Sequence, residues 1–336
     1  MLVGFTYDLR DDYLAEGLSH EETAEFDRLD TIEAIEAALK GLGHRVERIG
    51  NVKALVRALA AAKRWDMVFN IAEGLRGVGR EAQVPALLDA YDIPYTFSDP
   101  LVMAMTLHKG VTKQVVRDRG VPTAAFAVIE CAADVDRVDL PYPLFVKPVA
   151  EGTGRGISGK SKVGSKAELK QRAAEILSTY RQPALVETFL GGREFTVGII
   201  GAGAAAHAIG TLEVRLLETA ESDAYGYANK EEYDTRVAYT LVKDAQAKRA
   251  ADIALDAWRA LGCRDGGRVD LRADDKGVPH FLEVNPLAGL NPVRSDLPIL
   301  ARATGISFER LIGMIMEAAT VRSFGPPEAA RRETGS

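Results

Sequence analysis

Cysteine is almost missing from this chain: Cys131 and Cys263 are the 2 in 336 residues, and they lie far apart. That argues against a disulfide framework and for a reducing cytoplasm. Histidine is scarce too, and His20, His44, His108, His207 and His280 show no zinc-ligand spacing. No apolar run approaches the roughly 20 residues a membrane helix needs. The most apolar stretch, 197–210, is short and broken by glycine. Residues 1–20 lack the charged start and apolar centre of a signal peptide, because Asp8, Arg10, Asp11 and Asp12 interrupt them. Positive charge is not in excess: the net charge of −6 gives no general attraction to nucleic acid or anionic membrane.

What is present suits a globular chain of two or three domains, with 47% apolar and 27% charged residues. Strand patterns at 1–7, 46–49, 66–71 and 93–96 alternate with helical ones at 52–64 and 81–91. Another helix is capped by Asp27 or Asp30, carries Leu29, Ile32, Ile35, Leu39 and Leu42, and stops at Gly43. This alternation predicts a small parallel α/β domain over residues 1–99. A helix at 101–119 is followed by strands at 126–129 and 144–147, a helix at 166–178 and a strand at 184–188, within a second domain of 100–187. A third, 188–324, holds strands at 194–200, 207–213, 267–272 and 279–284 and helices at 244–261 and 307–319. Between these, residues 217–241 are polar, carry Tyr225, Tyr227, Tyr233 and Tyr239, and lack periodicity, which predicts a long ordered or closing loop. Residues 325–336 read as a disordered tail. The run Gly201-Ala-Gly203 sits between strand patterns and reads as a hairpin turn rather than a dinucleotide site.

The most informative stretch is 268–285. Two alternating runs flank Asp275-Lys276-Gly277, which predicts a β-hairpin. With Lys276 and Gly277 as its loop, Asp270 lies opposite Glu283 and Arg268 opposite Asn285. One face then holds Val269, Leu271, Leu282 and Val284; the other gathers Arg268, Asp270, Glu283 and Asn285. Opposed carboxylates repel unless a cation separates them, and two carboxylates with an amide oxygen suit magnesium. An exposed polar sheet face would show the same alternation. Asn285-Pro286 and Gly289 end the strand and leave backbone N–H groups beside the supposed ion.

A second signal is a strand ending in Lys147-Pro148, followed by Glu151-Gly152-Thr153-Gly154-Arg155-Gly156. Glycines let backbone N–H groups approach phosphate oxygens, Thr153 adds a hydroxyl and Lys147 a point charge. Residues 151–156 do not carry the Gly-Lys-Ser/Thr ending of a Walker A loop, and a flexible surface loop has a similar composition. Lys109 is a second candidate cation or a solvated helix lysine. Glu187 and Glu194 flank Thr-Phe-Leu-Gly-Gly-Arg, where strand-end surface charge is the plain alternative.

Taken in order, these pieces resemble the D-alanine–D-alanine ligase branch of the ATP-grasp superfamily. The likeness runs over most of 66–312: Pro94-Tyr95-Thr96, the helix with Lys109, Phe145-Val-Lys-Pro with the glycine loop, Val186-Glu-Thr-Phe-Leu-Gly-Gly-Arg-Glu-Phe-Thr-Val197, Arg268-Val-Asp270 and Glu283-Val-Asn285 with Gly289. The resemblance implies an ATP-grasp fold of the α/β (α+β) class, with three domains and ATP between the central and C-terminal ones. It places Lys109, Lys147, Glu151, Gly152, Thr153 and Gly154 at the phosphates, Glu187, Phe189 and Leu190 at the adenine-side hinge, and Glu194 at the ribose. It gives Asp270, Glu283 and Asn285 two magnesium ions, with manganese as a substitute, and makes Arg268 and the Gly289 N–H the oxyanion site. Lys230 stands where the family has a loop lysine near the γ-phosphate. The implied enzyme is a cytoplasmic homodimer that joins a carboxylate to an amine through an acyl-phosphate.

The departures cluster at the substrate end. Lys230 is followed by Glu231 rather than tyrosine, the first strand leads into Asp8-Leu9-Arg10, and the acceptor-serine region reads Asn291-Pro-Val-Arg294-Ser295-Asp296. Different amino acid or amine substrates are therefore expected. Arg294, with Ser295, is a candidate to grip a substrate carboxylate, or else a surface arginine paired with Asp296. Glu16, Glu73 and Arg80 are further substrate candidates. The alternatives are a genuine D-alanine–D-alanine ligase, a catalytically inactive nucleotide-binding regulator, or a kinase-like enzyme that stops at the phosphorylated product.

Overall fold

The computed structural model describes residues 1–216 and 237–325. The proposed closing loop around Lys230 and most of the tail lie outside them.

Three sheets organise the chain. The first is parallel, in the order β2-β1-β3, from β1 (Leu2–Tyr7), β2 (Arg45–Gly50) and β3 (Met67–Ile71). Strand alternation sends Val3, Phe5, Met67 and Phe69 to one face and Leu2 and Val68 to the other. The expected strand at 93–96 is reduced to one bridge, Val68 with Tyr95, held by Val68 N–H to Pro94 O at 2.8 Å and Thr96 N–H to Val68 O at 2.9 Å. A short helix, α1 (Arg10–Ala15), was not foreseen. Helix α2 (Leu29–Gly41) lies on the Phe5 face; α3 (Val52–Ala60) and α4 (Gln83–Ala90) lie on the other. Neither expected acid caps α2, because its N-cap is Arg28.

The helix expected at 101–119 is two, α5 (Pro100–Leu107) and α6 (Lys109–Asp118). His108 leaves helical geometry (ψ 86°), and its Nδ1 accepts the Val111 N–H at 3.2 Å, capping α6. The break lets Lys109 N–H donate to Val149 O at 3.1 Å, so the first residue of α6 sits at the mouth of the glycine loop.

The second sheet is antiparallel, β4-β7-β5-β6, from β4 (Phe126–Ile129), β5 (Leu144–Pro148), β6 (Lys162–Val163) and β7 (Ala184–Thr188), with α7 (Lys166–Thr179) across one face. The third has five antiparallel strands in the order β10-β9-β8-β11-β12: β8 (Glu194–Ile200), β9 (His207–Leu216), β10 (Val237–Leu241), β11 (Gly266–Ala273) and β12 (Pro279–Asn285). Strand β10 falls inside the stretch expected to lack regular structure; pairing with β9 overrides its weak pattern. The glycines at 201 and 203 do turn β8 into β9. Helix α8 (Ala245–Leu261) packs Trp258 against this sheet. Helices α9 (Asp296–Ala303) and α10 (Phe308–Phe324) follow. Leu311, Ile312, Ile315 and Met316 of α10 complete the core on the Phe5 face of the first sheet, although sequence places them with the last domain. Among the described residues no helix is long and apolar enough to cross a membrane. Both cysteines are free.

Candidate active site

A cavity of about 850 Å³, counting its open mouth, lies between the second and third sheets. Phe145, Ile157, Phe189, Leu190 and Leu282 give it apolar lining, and Lys109, Lys147, Glu194, Asp270 and Glu283 polar lining. That pairing fits a flat base with phosphates. The glycine loop turns through left-handed backbone at Thr153 (φ 47°), Gly154 (φ 71°) and Gly156 (φ 73°). Its entry is fixed by Gln182, whose Oε1 accepts the Ala150 N–H at 2.7 Å while its Nε2 donates to Glu151 at 2.5 Å. Its exit is held by the buried Arg172, which donates to Gly156 O. Thr153 Oγ1 is buried with no hydrogen-bond partner among the described residues, as suits a hydroxyl that meets a ligand oxygen. Residues 154–161 do spell Gly-x-x-x-x-Gly-Lys-Ser, so the view that no Walker A ending is present needs correcting. The letters do not make a P-loop here. They lead into a single turn at Gly159–Ser161 and the strand β6, not into a helix, and Lys160 is exposed.

Glu187 lines the cavity, but its carboxylate points into the protein. Its oxygens pair with Lys113 Nζ at 2.6 Å and Lys147 Nζ at 3.0 Å, all three side chains being buried. Burial alone would raise the Glu187 carboxyl, yet the two ammonium groups hold it below the usual range. Burial would likewise depress Lys147, but Glu187 and Glu283 outweigh it and keep the ammonium charged. For Lys113 burial wins and the pKa falls. Lys113 was missed in the sequence, although four residues after Lys109 it had to share a helix face with it.

The hairpin brings the expected ligand set together. Asp270 pairs with Glu283 and Arg268 with Asn285. The turn is one residue out from expectation, and Ala273 pairs with Pro279; a bulge between Asp270 and Leu271 restores the register. Phe281 therefore takes the core position expected for Leu282, and Leu282 faces the cavity. Thr196 Oγ1 donates to Asp270 Oδ1 at 2.9 Å, Arg268 pairs with Asp270 Oδ2, and Lys109 Nζ stands 3.6 Å from Glu283 Oε2. Among the described residues no three His, Cys, Asp or Glu side chains group closely enough to hold a metal alone. Two carboxylates and an amide still fit magnesium that arrives with nucleotide phosphates, which supply its remaining oxygens.

A second cavity, about 660 Å³, adjoins the first; Lys109 and Glu283 line both. It is lined by Arg268, Asn285, Gly289, Gly152 and Thr153 together with Glu25, Glu73 and Glu81 from the N-terminal part. Glu25 is paired: Arg80 donates to it at 2.7 and 3.0 Å, and its Oε1 accepts the Gly152 N–H at 2.6 Å. Arg80 also donates to Ala150 O at 3.1 Å, so this pair ties the glycine loop to the first sheet's loops. Glu25 and Glu81 were not singled out from sequence, where each reads as one acid among many.

Burial pushes the Glu81 carboxyl up to about 7; Glu25 adds to this, and Arg80 and Lys109 only partly offset it. The native chain thus keeps a proton that the unfolded chain loses between its ordinary value of 4.5 and about 7. Stability should fall as pH rises through that window. Glu81→Gln should raise ligand-free stability by up to about 3 kcal/mol at pH 8 and change it little at pH 4. Equal urea midpoints for the two proteins at pH 8 would rule this out.

The remaining candidates lie apart. Arg294 forms an ion pair with Asp30 at 2.6 Å, not with Asp296, and lines neither cavity. Asp296 instead stands 3.5 Å from Arg268 and accepts from Tyr239 OH at 2.8 Å. Ser295 Oγ accepts the Asn291 N–H at 3.0 Å and packs under Gly289, where a Cβ would lie 2.9 Å from it. Glu16 is exposed at the end of α1.

Comparison with known proteins places the chain among ligases. The family model "D-ala D-ala ligase C-terminus" matches residues 115–317. An uncharacterized protein of Sinorhizobium fredii, y4sG, is 32% identical over 305 residues, covering 87% of this chain and 88% of its own. A D-alanine–D-alanine ligase of Bordetella petrii is 33% identical over 270 residues, covering 79% of each chain. In fold, the D-alanine–D-alanine ligase of Bacillus anthracis complexed with ATP superposes over 100% of both chains, with a TM-score of 0.72 at 21% identity. The VanG D-Ala:D-Ser ligase of Enterococcus faecalis covers 95% of this chain and 99% of its own, with a TM-score of 0.71 at 19% identity.

Proposed function

The chain belongs to the D-alanine–D-alanine ligase family, and we propose that it joins the carboxylate of one small substrate to the amine of another at the expense of ATP. The observation that carries this reading is the junction of the two cavities at Lys109 and Glu283. A nucleotide seated in the first presents its terminal phosphate where the second begins.

The residues then divide the work. Phe145, Phe189, Leu190 and Leu282 sandwich the base, and Glu194 reaches the ribose. Lys147 and Lys109 offset phosphate charge, and Thr153 closes over it. A substrate carboxylate oxygen attacks the terminal phosphorus, the bond to ADP breaks, and an acyl-phosphate forms. The amine lone pair then attacks the acyl carbon. Arg268 and the Gly289 N–H stabilise the oxyanion, phosphate leaves with the electron pair of its C–O bond, and the nitrogen loses a proton. Asp270, Glu283 and Asn285 would hold magnesium, which supplies further charge neutralisation when bound.

D-Alanine is not the expected substrate pair, since the second cavity is lined by carboxylates that a methyl side chain would leave unanswered. A homodimer in the cytoplasm, acting on amino acids or amines without nucleic acid or membrane partners, completes the proposal and rests on the family alone. A one-chain molar mass by light scattering would remove the dimer. The direct test is ADP release with Mg-ATP and a matrix of D- and L-amino acids and amines, with products identified by mass spectrometry. Pair-dependent ADP release with a condensed product is expected. ATP binding with no turnover across the matrix would favour a regulator, and a phosphorylated substrate without an amide would favour a kinase.

A further inference from the structure

The carboxylates of the second cavity are not equivalent. Glu25 is neutralised by Arg80 and its Oε1 also accepts the Gly152 N–H. Lys109 is drawn to Glu283, and Arg268 to Asp270 and Asp296. Glu81 is only 8% exposed, lines the cavity, and makes no hydrogen bond or ion pair among the described residues. Glu73 lines the same cavity, and its carboxylate also has no such partner there. A buried carboxylate without a partner is costly, so it either keeps its proton or takes a cation from outside the chain. Burial and the neighbouring Glu81 and Glu25 raise the Glu73 carboxyl well above its usual range, which shows the same deficit of positive charge.

Among the described residues no three His, Cys, Asp or Glu side chains group closely enough to hold a metal ion alone, and Glu25 is already paired with Arg80, so an organic cation is the simpler fit. Leu107, Val284 and Leu287 add aliphatic lining to the cavity that the acids share with Arg268 and Gly289. That lining fits an aliphatic stem with ammonium groups for the acids. One ammonium, as on alanine, balances one of the two unpartnered carboxylates and leaves the other.

Resting on the ligase reading above, we propose that Glu73 and Glu81 select a diamino acid as substrate, one whose side chain ends in an ammonium group. Both of its ammonium groups meet these carboxylates while its own carboxylate faces Thr153 and Lys109.

The test compares 2,3-diaminopropionate, 2,4-diaminobutyrate, ornithine and lysine, in both chiral forms, with alanine, 2-aminobutyrate, norvaline and norleucine. Turnover is read by ADP release, and binding by calorimetry on the protein loaded with magnesium and a non-hydrolysable ATP analogue. A diamino acid should exceed its neutral counterpart at least tenfold in kcat/KM, mostly through KM. Glu81→Gln and, separately, Glu73→Gln should bring that ratio towards one. Turnover of neutral amino acids at equal or better kcat/KM would overturn the selection while leaving the ligase standing. Selective binding of a diamino acid with no turnover would do the reverse. Binding of neither class would overturn the selection outright.

Discussion

Arg268→Ala should slow amide formation by about a hundredfold to a thousandfold, the usual cost of losing one oxyanion donor. Register fixes this residue opposite Asn285, and its side chain lines the same cavity as Gly289 and the acids. Burial would lower its pKa, but Asp270, Asp296 and Glu283 more than compensate, so the charge is permanent. A fixed buried charge needs little rearrangement when the oxyanion forms. Truncation also strips Asp270 of a cation, so the two steps must be read separately. Single-turnover ADP formation should suffer much less than amide formation, and Arg268→Lys should recover part of the second step. Equal losses in both steps, in a protein that stays folded, would remove the oxyanion role and leave Arg268 as a partner of Asp270.

Glu187→Leu should cost about 3–5 kcal/mol of stability, the range for breaking a buried ion pair from one side. It strands two ammonium groups: Lys113, fully buried, and Lys147, nearly so. Lys113→Met should be far milder, because Glu187 keeps Lys147 and Thr123 Oγ1 still donates to Phe281 O at 2.8 Å. Urea denaturation of the two variants checks the order. If Lys113→Met proved the more damaging, the trio would not act as one lysine too many around a shared carboxylate.

Both expectations rest on geometry that sequence reached only in part. The opposition of Asp270 and Glu283 followed from alternation, because one apolar face had to turn inward. The bulge could not be foreseen: a hairpin loop one residue longer and a bulge cancel in register, so only Leu282 and Phe281 exchange places. Local pattern also ran through 101–119 without a break, since His108 is a tolerable helix residue until the Val149 carbonyl offers Lys109 a partner. The two lysine partners of Glu187 escaped the sequence for a similar reason. Its partners lie on a helix and on the neighbouring strand, which no local pattern announces. The cluster of Glu25, Glu73 and Glu81 was the hardest to see, because it draws on two separate connecting segments whose charges individually suit a surface.

Helix α10 carries a consequence for how the protein is made. Its Leu311, Ile312, Ile315 and Met316 seal the face on which Val3, Phe5, Ile35 and Phe69 lie. A ribosome emits that sheet first and its cover last, so the nascent N-terminal third waits with an open apolar face while about 200 residues are added, roughly 10–40 s at 5–20 residues per second. Contacts of such sequence separation also form late and slowly. The first unit is therefore distinct in space but not in folding. Excised as residues 1–99 it should aggregate, and grafted onto a relative it should carry its C-terminal helix along.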